Sequence, residues 1–327
     1  MTKIFKYRGK TRAIRSIVLS LLLIIGGCKA PAKIFTIGIA SHLSINAPIL
    51  EGFKKGMVEL GYIEGENIKY IFKSVPETDE QNIDAGIKEL LNQDIDLLLT
   101  TGRETALRAK QLVKGSDIPV LFNSNPWPVE TGLVENLNHP GGNLTGIRFV
   151  NAIQKSLEWL TMITPGVKKV YVPYNPDDEF PAAVLSDTAE TASQLGIKLI
   201  LHKIYSVEEA VKAIEGLPED VDAVFMIPSP TLNNRSIELS RAAIRRRIPM
   251  GVGHLSDEDV LITFTNDYFN AGKQTARLAH QIFQGAKPAD LPVETSEVEL
   301  IINLKTAEKI GITVPDDILV QATTIIR

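Results

Sequence analysis

Residues 123–146 read Asn-Ser-Asn-Pro-Trp-Pro-Val-Glu-Thr-Gly-Leu-Val-Glu-Asn-Leu-Asn-His-Pro-Gly-Gly-Asn-Leu-Thr-Gly, and the rest of the chain is organised around them. The apolar run Pro119–Phe122 before them predicts a buried strand, and open α/β sheets bind ligands outside the carboxyl ends of their strands. Pro140 fixes one φ angle and the two glycines after it permit positive φ, which predicts a tight turn before a short strand over 144–150. The stretch therefore marks the end of one predicted lobe and the crossing to another.

A faint internal repeat supports the division into two lobes. The sequence DIDLLLT at 94–100 recurs 126 positions later as DVDAVFM at 220–226, and Ile118–Val120 recurs 130 positions later as Ile248–Met250. Continuous apolar runs of this length are typical of strands buried on both faces of a parallel sheet. A chain of 327 residues also has the length of two domains. The predicted fold class is α/β, with two doubly wound parallel-sheet lobes.

Amphipathic patterns predict the helices between these strands. The first begins after Pro48 and ends at Gly61, which suits a helix C-cap. The predicted helices cover 49–60, 83–91, 103–113, 181–195, 207–217 and 269–283.

The first residues have the pattern of an export signal. A basic segment up to Arg15 precedes the apolar core Ile17–Ile25, which has the length of a signal-peptide core and is short for a permanent membrane span. Two glycines then lead directly to Cys28, an arrangement that resembles a lipobox. We predict a lipoprotein signal peptide over 1–27, a lipid anchor on Cys28, and a location facing the periplasm or the cell exterior. The alternatives are a cleaved secretory signal and an uncleaved anchor.

The composition excludes several classes of partner. The net charge is −4, and residues 1–27 carry six basic side chains and no acidic one, so the remaining chain carries −4 − 6 = −10. A chain this acidic, with no basic run, attracts no phosphate backbone, so no nucleic-acid partner is expected. Cys28 is the only cysteine, which leaves no internal disulfide and no cysteine metal cluster, and no cofactor is expected.

Six predicted loops follow strand ends and carry hydroxyl and amide side chains, which supply hydrogen-bond donors and acceptors. They lack the arrangement of His, Asp and Glu that hydrolysis or metal binding needs, so neither a catalytic nor a metal site is predicted. The predicted ligand-binding residues are Ser41, His42, Thr100, Thr101, Gly102, Arg103, Asn123, Ser124, Asn125, Tyr174, Asn175, Ser229, His254 and Asp267.

The loop after the predicted strand 95–99 is the most informative of the six. Thr100 or Thr101 can cap a helix that begins near Arg103, and Gly102 allows close approach of the backbone. A helix N-terminus of this kind binds a carboxylate well. Arg103 either reaches into the cleft or points to solvent, and the sequence leaves both open.

Several motifs together resemble a known family. They are Pro126, Gly132–Val134 and Pro140–Gly146, Gly52–Gly56 with Glu59–Tyr62, Tyr174–Pro176, and Asn303–Ala307. The combination resembles the bacterial ABC-transporter substrate-binding lipoproteins that include the tryptophan- and tyrosine-type binding proteins. The likeness covers nearly all of the chain after Lys33.

This resemblance implies a type I periplasmic-binding-protein-like fold with a multi-crossover hinge. It implies a monomer that binds a small solute between two lobes and presents it to an ABC permease for import. The implied solute is an amino acid or a related compound, and whether it is aromatic stays open. The ammonium group of an amino acid needs a partner in a buried cleft; we expect Asp267 first, then Asn123 and Asn175.

In such proteins late segments cross back between the lobes. The predicted first lobe is therefore 28–148 with 263–290, and the predicted second lobe is 149–262 with 291–327. Crossovers of this kind form a hinge, in which a few loop residues absorb the closure.

Two other functions remain as alternatives. A ligand-sensing binding protein would use the same lobes without transport. An enzyme on the same fold, such as a racemase or hydrolase, would need a nucleophile or paired acid and base across the cleft, and the sequence has no Gly-x-Ser-x-Gly elbow.

Overall fold

A computed structural model describes residues 33–76, 79–178, 181–233, 235–253 and 259–327. The predicted signal peptide, Cys28 and the predicted binding residue His254 lie outside these ranges. Residues from Ile34 to Arg327 form one unit by their contacts. Within the described ranges, none of the helices combines the length and the apolar character needed to span a membrane.

The strands of the described ranges are short and mostly apolar. In chain order they are β1 (Phe35–Ser41), β2 (Ile68–Ser74), β3 (Leu97–Thr101), β4 (Val120–Asn123), β5 (Leu144–Arg148), β6 (Lys169–Tyr174), β7 (Lys198–Lys203), β8 (Ala223–Met226), β9 (Met250–Val252), β10 (Ile262–Asn266), β11 (Glu294–Thr295), β12 (Val298–Asn303) and β13 (Thr324–Ile326).

These strands form two sheets, each covered by helices. The first has the order β11-β5-β4-β3-β1-β2, and its pairings are parallel. The second has the order β13-β12-β10-β9-β8-β6-β7, with only β10 and β12 antiparallel in the described part. We call each sheet with its helices a lobe. Strands β3, β4, β8 and β9 are buried at every residue, which fits sheets covered on both faces.

Helices connect successive strands in both lobes. They are α1 (Leu43–Glu59), α2 (Glu80–Leu91), α3 (Arg103–Leu112), α4 (Ala152–Ile163), α5 (Pro181–Gln194), α6 (Val207–Glu215), α7 (Pro230–Asn233), α8 (Ser236–Arg245), α9 (Tyr268–Phe283), α10 (Leu304–Ile310) and α11 (Asp316–Leu319), with a 3-10 turn at Pro288–Asp290. Side-chain caps come from Asp79, Asn151, Ser206, Asp267 and Asn303 at the starts of α2, α4, α6, α9 and α10.

Helix α1 begins earlier than the sequence predicts. Proline normally ends a helical pattern, so the predicted helix starts after Pro48, whereas the structure begins α1 at Leu43 and carries it through Pro48. Residues 43–46, which precede the predicted helix, therefore form the first turn of α1 directly after β1.

A close helix pair joins the beginning and the end of the first lobe. Helix α9 packs along α1 with glycine at both contacts: a Cβ on Gly52 would lie 1.9 Å from the Phe269 carbonyl oxygen, and one on Gly272 would lie 2.0 Å from that of Ile49. Only glycine permits this backbone approach. Helix α9 is thereby fixed to the first lobe, although β10 before it belongs to the second sheet.

The chain crosses between the lobes near residues 148–152, 266–268 and 295–298. The Asn266 side chain joins these crossings, because its Oδ1 accepts from Val150 N (2.8 Å) and from Ser296 Oγ (2.6 Å) and its Nδ2 donates to Val150 O (3.1 Å). Backbone bonds from Ser296 N to Arg148 O and from Asp267 N to Glu297 O, both 2.9 Å, run beside it. The crossings thus lie side by side.

Strand pairings differ from the predicted lobe limits at two places. The prediction assigns 263–290 to the first lobe, yet β10 lies in the second sheet between β9 and β12. It assigns 291–327 to the second lobe, yet β11 pairs with β5 in the first sheet. Both strands adjoin a crossing, where sequence pattern does not show which sheet receives a strand. The other limits of the division stay a prediction.

Candidate functional site

A cavity of about 270 Å³ lies at the carboxyl ends of the parallel strands, with walls from both lobes. The first lobe contributes a mainly polar wall, including His42, Asn46, Thr101, Gly102 and Ser124. The second lobe contributes a mainly apolar wall, including Ala152, Ile153, Val184, Pro228 and Gly253. The arrangement suits a small solute with one charged or polar end and one apolar end.

Four helices begin at this cavity, since His42, Gly102, Asn151 and Tyr268 all line it and each lies at a helix start. Side chains cap α4 and α9, but α1 and α3 have no side-chain cap. The first N–H groups of a helix have no intrahelical partner, and they carry its positive dipole end. Both uncapped helices lie in the first lobe, so that wall of the cavity favours an anionic group.

The backbone before α3 holds its first turn in place. Gly102 adopts φ +89°, and its N–H donates to Ser124 Oγ at 2.8 Å and to Asn123 O at 3.0 Å. Ser124 itself has φ +65°, an uncommon conformation for a residue with a side chain. Such strained residues cluster at ligand sites, where the surrounding structure holds them.

Thr101 places a buried hydroxyl at the cavity wall. It ends β3, and its Oγ1 shares a hydrogen bond of 2.6 Å with Ser41 Oγ at the end of neighbouring β1. Both residues are buried. The bond fixes the position of the Thr101 hydroxyl, which can still accept or donate one further hydrogen bond.

Three aromatic residues are part of the described cavity lining. They are Trp127, Phe149 and Tyr268, and the rings of Phe149 and Tyr268 pack edge to face with centroids 5.0 Å apart. Trp127 is positioned by its backbone N–H, which donates to Asn125 Oδ1 at 3.0 Å. Aromatic pairs of this geometry attract a further ring.

Few of the residues that line the cavity have ionisable side chains. His42, Arg103 and Glu104 are the ionisable residues in the described lining apart from Tyr268, and Glu104 is the only carboxylate among them. In the ranges that the structure describes, no group of three or more His, Cys, Asp or Glu could hold a metal ion.

The sequence profile of the family described as ABC transporter substrate binding protein matches residues 33–326. The chain belongs to this family. That membership, predicted from the motifs around residues 123–146, is confirmed.

Individual relatives agree with this membership. A tyrosine-binding protein of Clostridioides difficile (strain R20291) is 29% identical over 261 residues, which are 78% of this chain and 74% of the relative. The structure of an ABC domain in complex with L-Trp from Streptococcus pneumonia is 25% identical, with a TM-score of 0.74, and the match covers 90% of this chain and 100% of that one. A conserved domain protein from Vibrio cholerae has the same TM-score and coverage at 24% identity. The predicted α/β fold with two parallel-sheet lobes of the type I periplasmic-binding-protein kind is confirmed.

The structure places the predicted binding residues of this substrate-binding protein in two groups. His42, Thr101, Gly102, Arg103 and Ser124 line the cavity. The following predicted residues are not among its described lining: Ser41, Thr100, Asn123, Asn125, Tyr174, Asn175, Ser229 and Asp267.

Most residues of the second group form hydrogen bonds to lining residues or to other parts of the protein around the cavity. Ser41 supports Thr101, and Asn125 supports Trp127. Asn123 Nδ2 donates to Thr275 Oγ1 of α9 at 2.7 Å.

Thr100, Tyr174, Asn175 and Ser229 also have partners within the protein. The Thr100 hydroxyl is buried and donates to Leu121 O of the neighbouring strand β4 (3.4 Å), and Tyr174 packs against the second-lobe core. Asn175 Nδ2 donates to Thr231 Oγ1 at 2.8 Å, and Ser229 Oγ donates to Asp178.

Asp267 occupies a different place from the one predicted for an ammonium partner. Its carboxylate accepts from Asn270 N (2.8 Å) and Asn270 Nδ2 (2.7 Å), which makes it the cap of α9. Its neighbours Asn266 and Tyr268 line the cavity instead. The capping requirement of a helix start explains the difference, because a cap side chain folds back over its own helix.

Other lining residues were not among the predicted binding residues. Glu104, Thr105, Trp127, Phe149 and Asn151 all line the cavity. Glu104, Thr105 and Trp127 lie in loops that follow predicted strands, so their position in the sequence could have indicated that they lie at the site. Phe149 and Asn151 lie at a crossing that sequence pattern shows only as the end of a strand.

Proposed function

We propose that this protein is the extracytoplasmic solute-binding component of an ABC importer and that its solute is an aromatic amino acid held in the cavity between the lobes. The observation that carries the proposal is one cavity with two uncapped helix starts and three aromatic residues in its described lining. A carboxylate suits the first feature and an aromatic ring suits the second.

The size of the cavity supports a small solute. Its volume of about 270 Å³ is slightly below the range of about 300–1,000 Å³ that is typical of drug-sized ligands. The tyrosine-binding relative and the L-Trp complex support an aromatic amino acid independently of this geometry.

In the proposed mechanism the first lobe receives the charged end of the solute. Closure then brings the apolar wall of the second lobe, including Ile153 and Val184, against its ring and expels water. The solute drives closure because it has more contacts, and so a higher affinity, in the closed state. A membrane permease recognises the loaded form, and no catalytic step belongs to this role.

Export and anchoring belong to the same proposal. The basic and apolar pattern of residues 1–27 and the position of Cys28 support a lipid anchor outside the cytoplasm. Cys28→Ser is expected to leave the protein unprocessed or to release it from membranes. Unchanged mature size with unchanged membrane partitioning would contradict the anchor and leave the binding role standing.

Thermal denaturation with a panel of the standard amino acids tests the binding role. A ligand that binds only the folded state at about 100 times its Kd adds about 2.7 kcal/mol, which raises Tm by several degrees. We expect this rise with L-tyrosine, L-tryptophan or L-phenylalanine and not with L-alanine or L-lysine. A panel without any rise, or a rise confined to non-aromatic amino acids, would contradict the proposal.

A further inference from the structure

The cavity has one carboxylate in its described lining, Glu104, at the second position of α3. An amino acid brings an ammonium group into the same cavity, and a buried ammonium without a partner is costly. Whichever group pairs with it decides whether the protein distinguishes an amino acid from the acid that lacks the amino group.

Glu104 is not committed to another partner in the described part of the chain. Its carboxylate makes no hydrogen bond or ion pair with the described residues, and the side chains of Arg103 and Glu104, at positions i and i+1 of α3, do not face each other although both residues line the cavity. Arg108, one turn later, donates its Nε and Nη2 to Asp84 at 2.7 and 2.6 Å and its Nη1 to Glu80 at 3.1 Å. The hydrogen bonds of Arg108 thus go to α2, and Glu104 interacts with it only through charge, without a hydrogen bond.

Three described carboxylates that adjoin lining residues in the chain or through a hydrogen bond already accept bonds from the protein. Asp267 caps α9 through Asn270. Asp178 accepts from the hydroxyls of Ser229 and Thr231, and Asp187 accepts from Asn151 Nδ2 at 3.2 Å. An ammonium group at any of these would share a carboxylate that already accepts a hydrogen bond from the protein.

The position of Glu104 also fits the rest of an amino acid. The N–H groups of Glu104 and Thr105 lie in the first turn of α3, where they have no intrahelical partner. The hydroxyls of Thr101 and Ser124 line the same wall. The carboxylate and the ammonium of one α-amino acid can thus bind within a single helical turn, with the positive end of the helix dipole beside both carboxylates.

We infer that Glu104 pairs with the ammonium group of the solute and makes the protein select an amino acid over the corresponding carboxylic acid. The inference rests on the proposed function and deepens it. It replaces Asp267, which the sequence suggests for this role, by the carboxylate that lines the cavity.

Calorimetric titration of two ligand pairs tests the inference. Each pair is an amino acid and its analogue without the amino group: L-tyrosine with 3-(4-hydroxyphenyl)propionate, and L-tryptophan with indole-3-propionate. For the wild-type protein we expect the analogue to bind about ten- to a hundredfold more weakly, the range of one charge-assisted hydrogen bond. In Glu104→Gln the amino acid should lose most of this advantage, while the affinity for the analogue should stay unchanged or rise.

Glu51→Gln is the matched control, because Glu51 is an exposed carboxylate on α1 outside the described cavity lining and the substitution changes the net charge equally. It should reproduce the wild-type ratio. Equal ratios in wild type and Glu104→Gln, with circular dichroism showing both folded, would overturn the inference and leave the proposed function intact. A wild-type protein that binds neither amino acid would overturn both.

Discussion

Trp127 shows how a side chain reaches the site from a loop. Trp127 lines the cavity, and Asn125, fully buried, accepts its backbone N–H in the turn after β4. The Nδ2 of Asn125 has no hydrogen-bond partner among the described residues. The position of Trp127 after the end of β4 could be predicted from the apolar run before it. The hydrogen-bond partner of each side chain in this turn could not be predicted from the sequence.

Loss of the Trp127 ring should weaken binding of the solute. We expect Trp127→Ala to lower the affinity for the aromatic amino acid at least about tenfold, because an aromatic contact and buried apolar area are both removed. Tyr205→Ala removes an exposed ring outside the described lining and should leave the affinity unchanged. Calorimetry on both variants measures the difference; equal affinities would place the ring of the solute elsewhere.

Asn123 shows where residue-level prediction stops. It lies at the end of β4, as predicted, but its amide reaches Thr275, 152 positions later in the chain. Thr101 pairs with it in the sheet and lines the cavity. Asn123 binds a helix whereas Thr101 faces the cavity, because α9 packs over β4. The local sequence pattern does not show which helix covers the end of a strand.

Glu299, on β12 after the crossing at residues 295–298, is a carboxylate whose pKa is shifted by its surroundings. Burial, and then the negative charge of Asp267, raise its pKa above the ordinary value. At a pH between the ordinary and the raised pKa, the folded state holds a proton that the unfolded state has released. The free energy of unfolding therefore falls as pH rises through this interval. Above the raised pKa the loss is complete.

Glu299→Gln should remove this loss. The variant is expected to be more stable than wild type at neutral pH and to approach it in acid, below the ordinary glutamate pKa, where both states of the wild type are protonated. Urea unfolding across pH measures this, with the exposed Glu297→Gln measured alongside. A difference between Glu299→Gln and wild type that is constant with pH would contradict the account.

At the scale of elements, the α1–α9 pair determines how the first lobe is assembled. Strand and helix order follows from the sequence, because apolar runs of four or five residues and amphipathic stretches have different periods. The contact of α9 with α1 does not follow, since it joins Gly52 to the backbone of Phe269, more than 200 positions away. The start of α1 does not follow from the sequence either, because a proline such as Pro48 usually marks a helix boundary.

A methyl group at Gly272 should separate these helices. We expect Gly272→Ala to destabilise the protein by about 1–3 kcal/mol, the usual cost of overpacking, because its Cβ would lie 2.0 Å from the Ile49 carbonyl oxygen. Gly216→Ala is the matched control, since the nearest atom there is 3.4 Å away and the backbone has φ −91°. Equal stability of the two variants in urea would contradict the close packing.

At the scale of the whole molecule, two mainly parallel sheets are joined at three crossings in the described ranges, and Asn266 connects these crossings. Parallel strands end at one edge of each sheet, so the cavity arises where the two edges meet. The two-lobed α/β architecture could be predicted from repeat and periodicity. The exact crossings could not, because they depend on which sheet receives β10 and β11.

Closure on the solute should reduce the size of the molecule in solution. Saturation with the aromatic amino acid is expected to lower the radius of gyration measured by small-angle X-ray scattering, because the lobes approach about the crossings. L-alanine at the same concentration should cause no change. Saturation without a smaller radius would contradict closure, while leaving binding in place.

The central claim, an aromatic amino acid bound in the cavity between the lobes, is tested most directly by titrating the wild-type protein in a calorimeter with L-tyrosine, L-tryptophan, L-phenylalanine and L-alanine. We predict one saturable site per chain for at least one aromatic amino acid, with an affinity at least a hundredfold above that for L-alanine, because the alanine side chain leaves the rings of Trp127, Phe149 and Tyr268 without a partner. Absence of saturable heat with all three aromatic amino acids, or equal affinity for L-alanine, would contradict the claim.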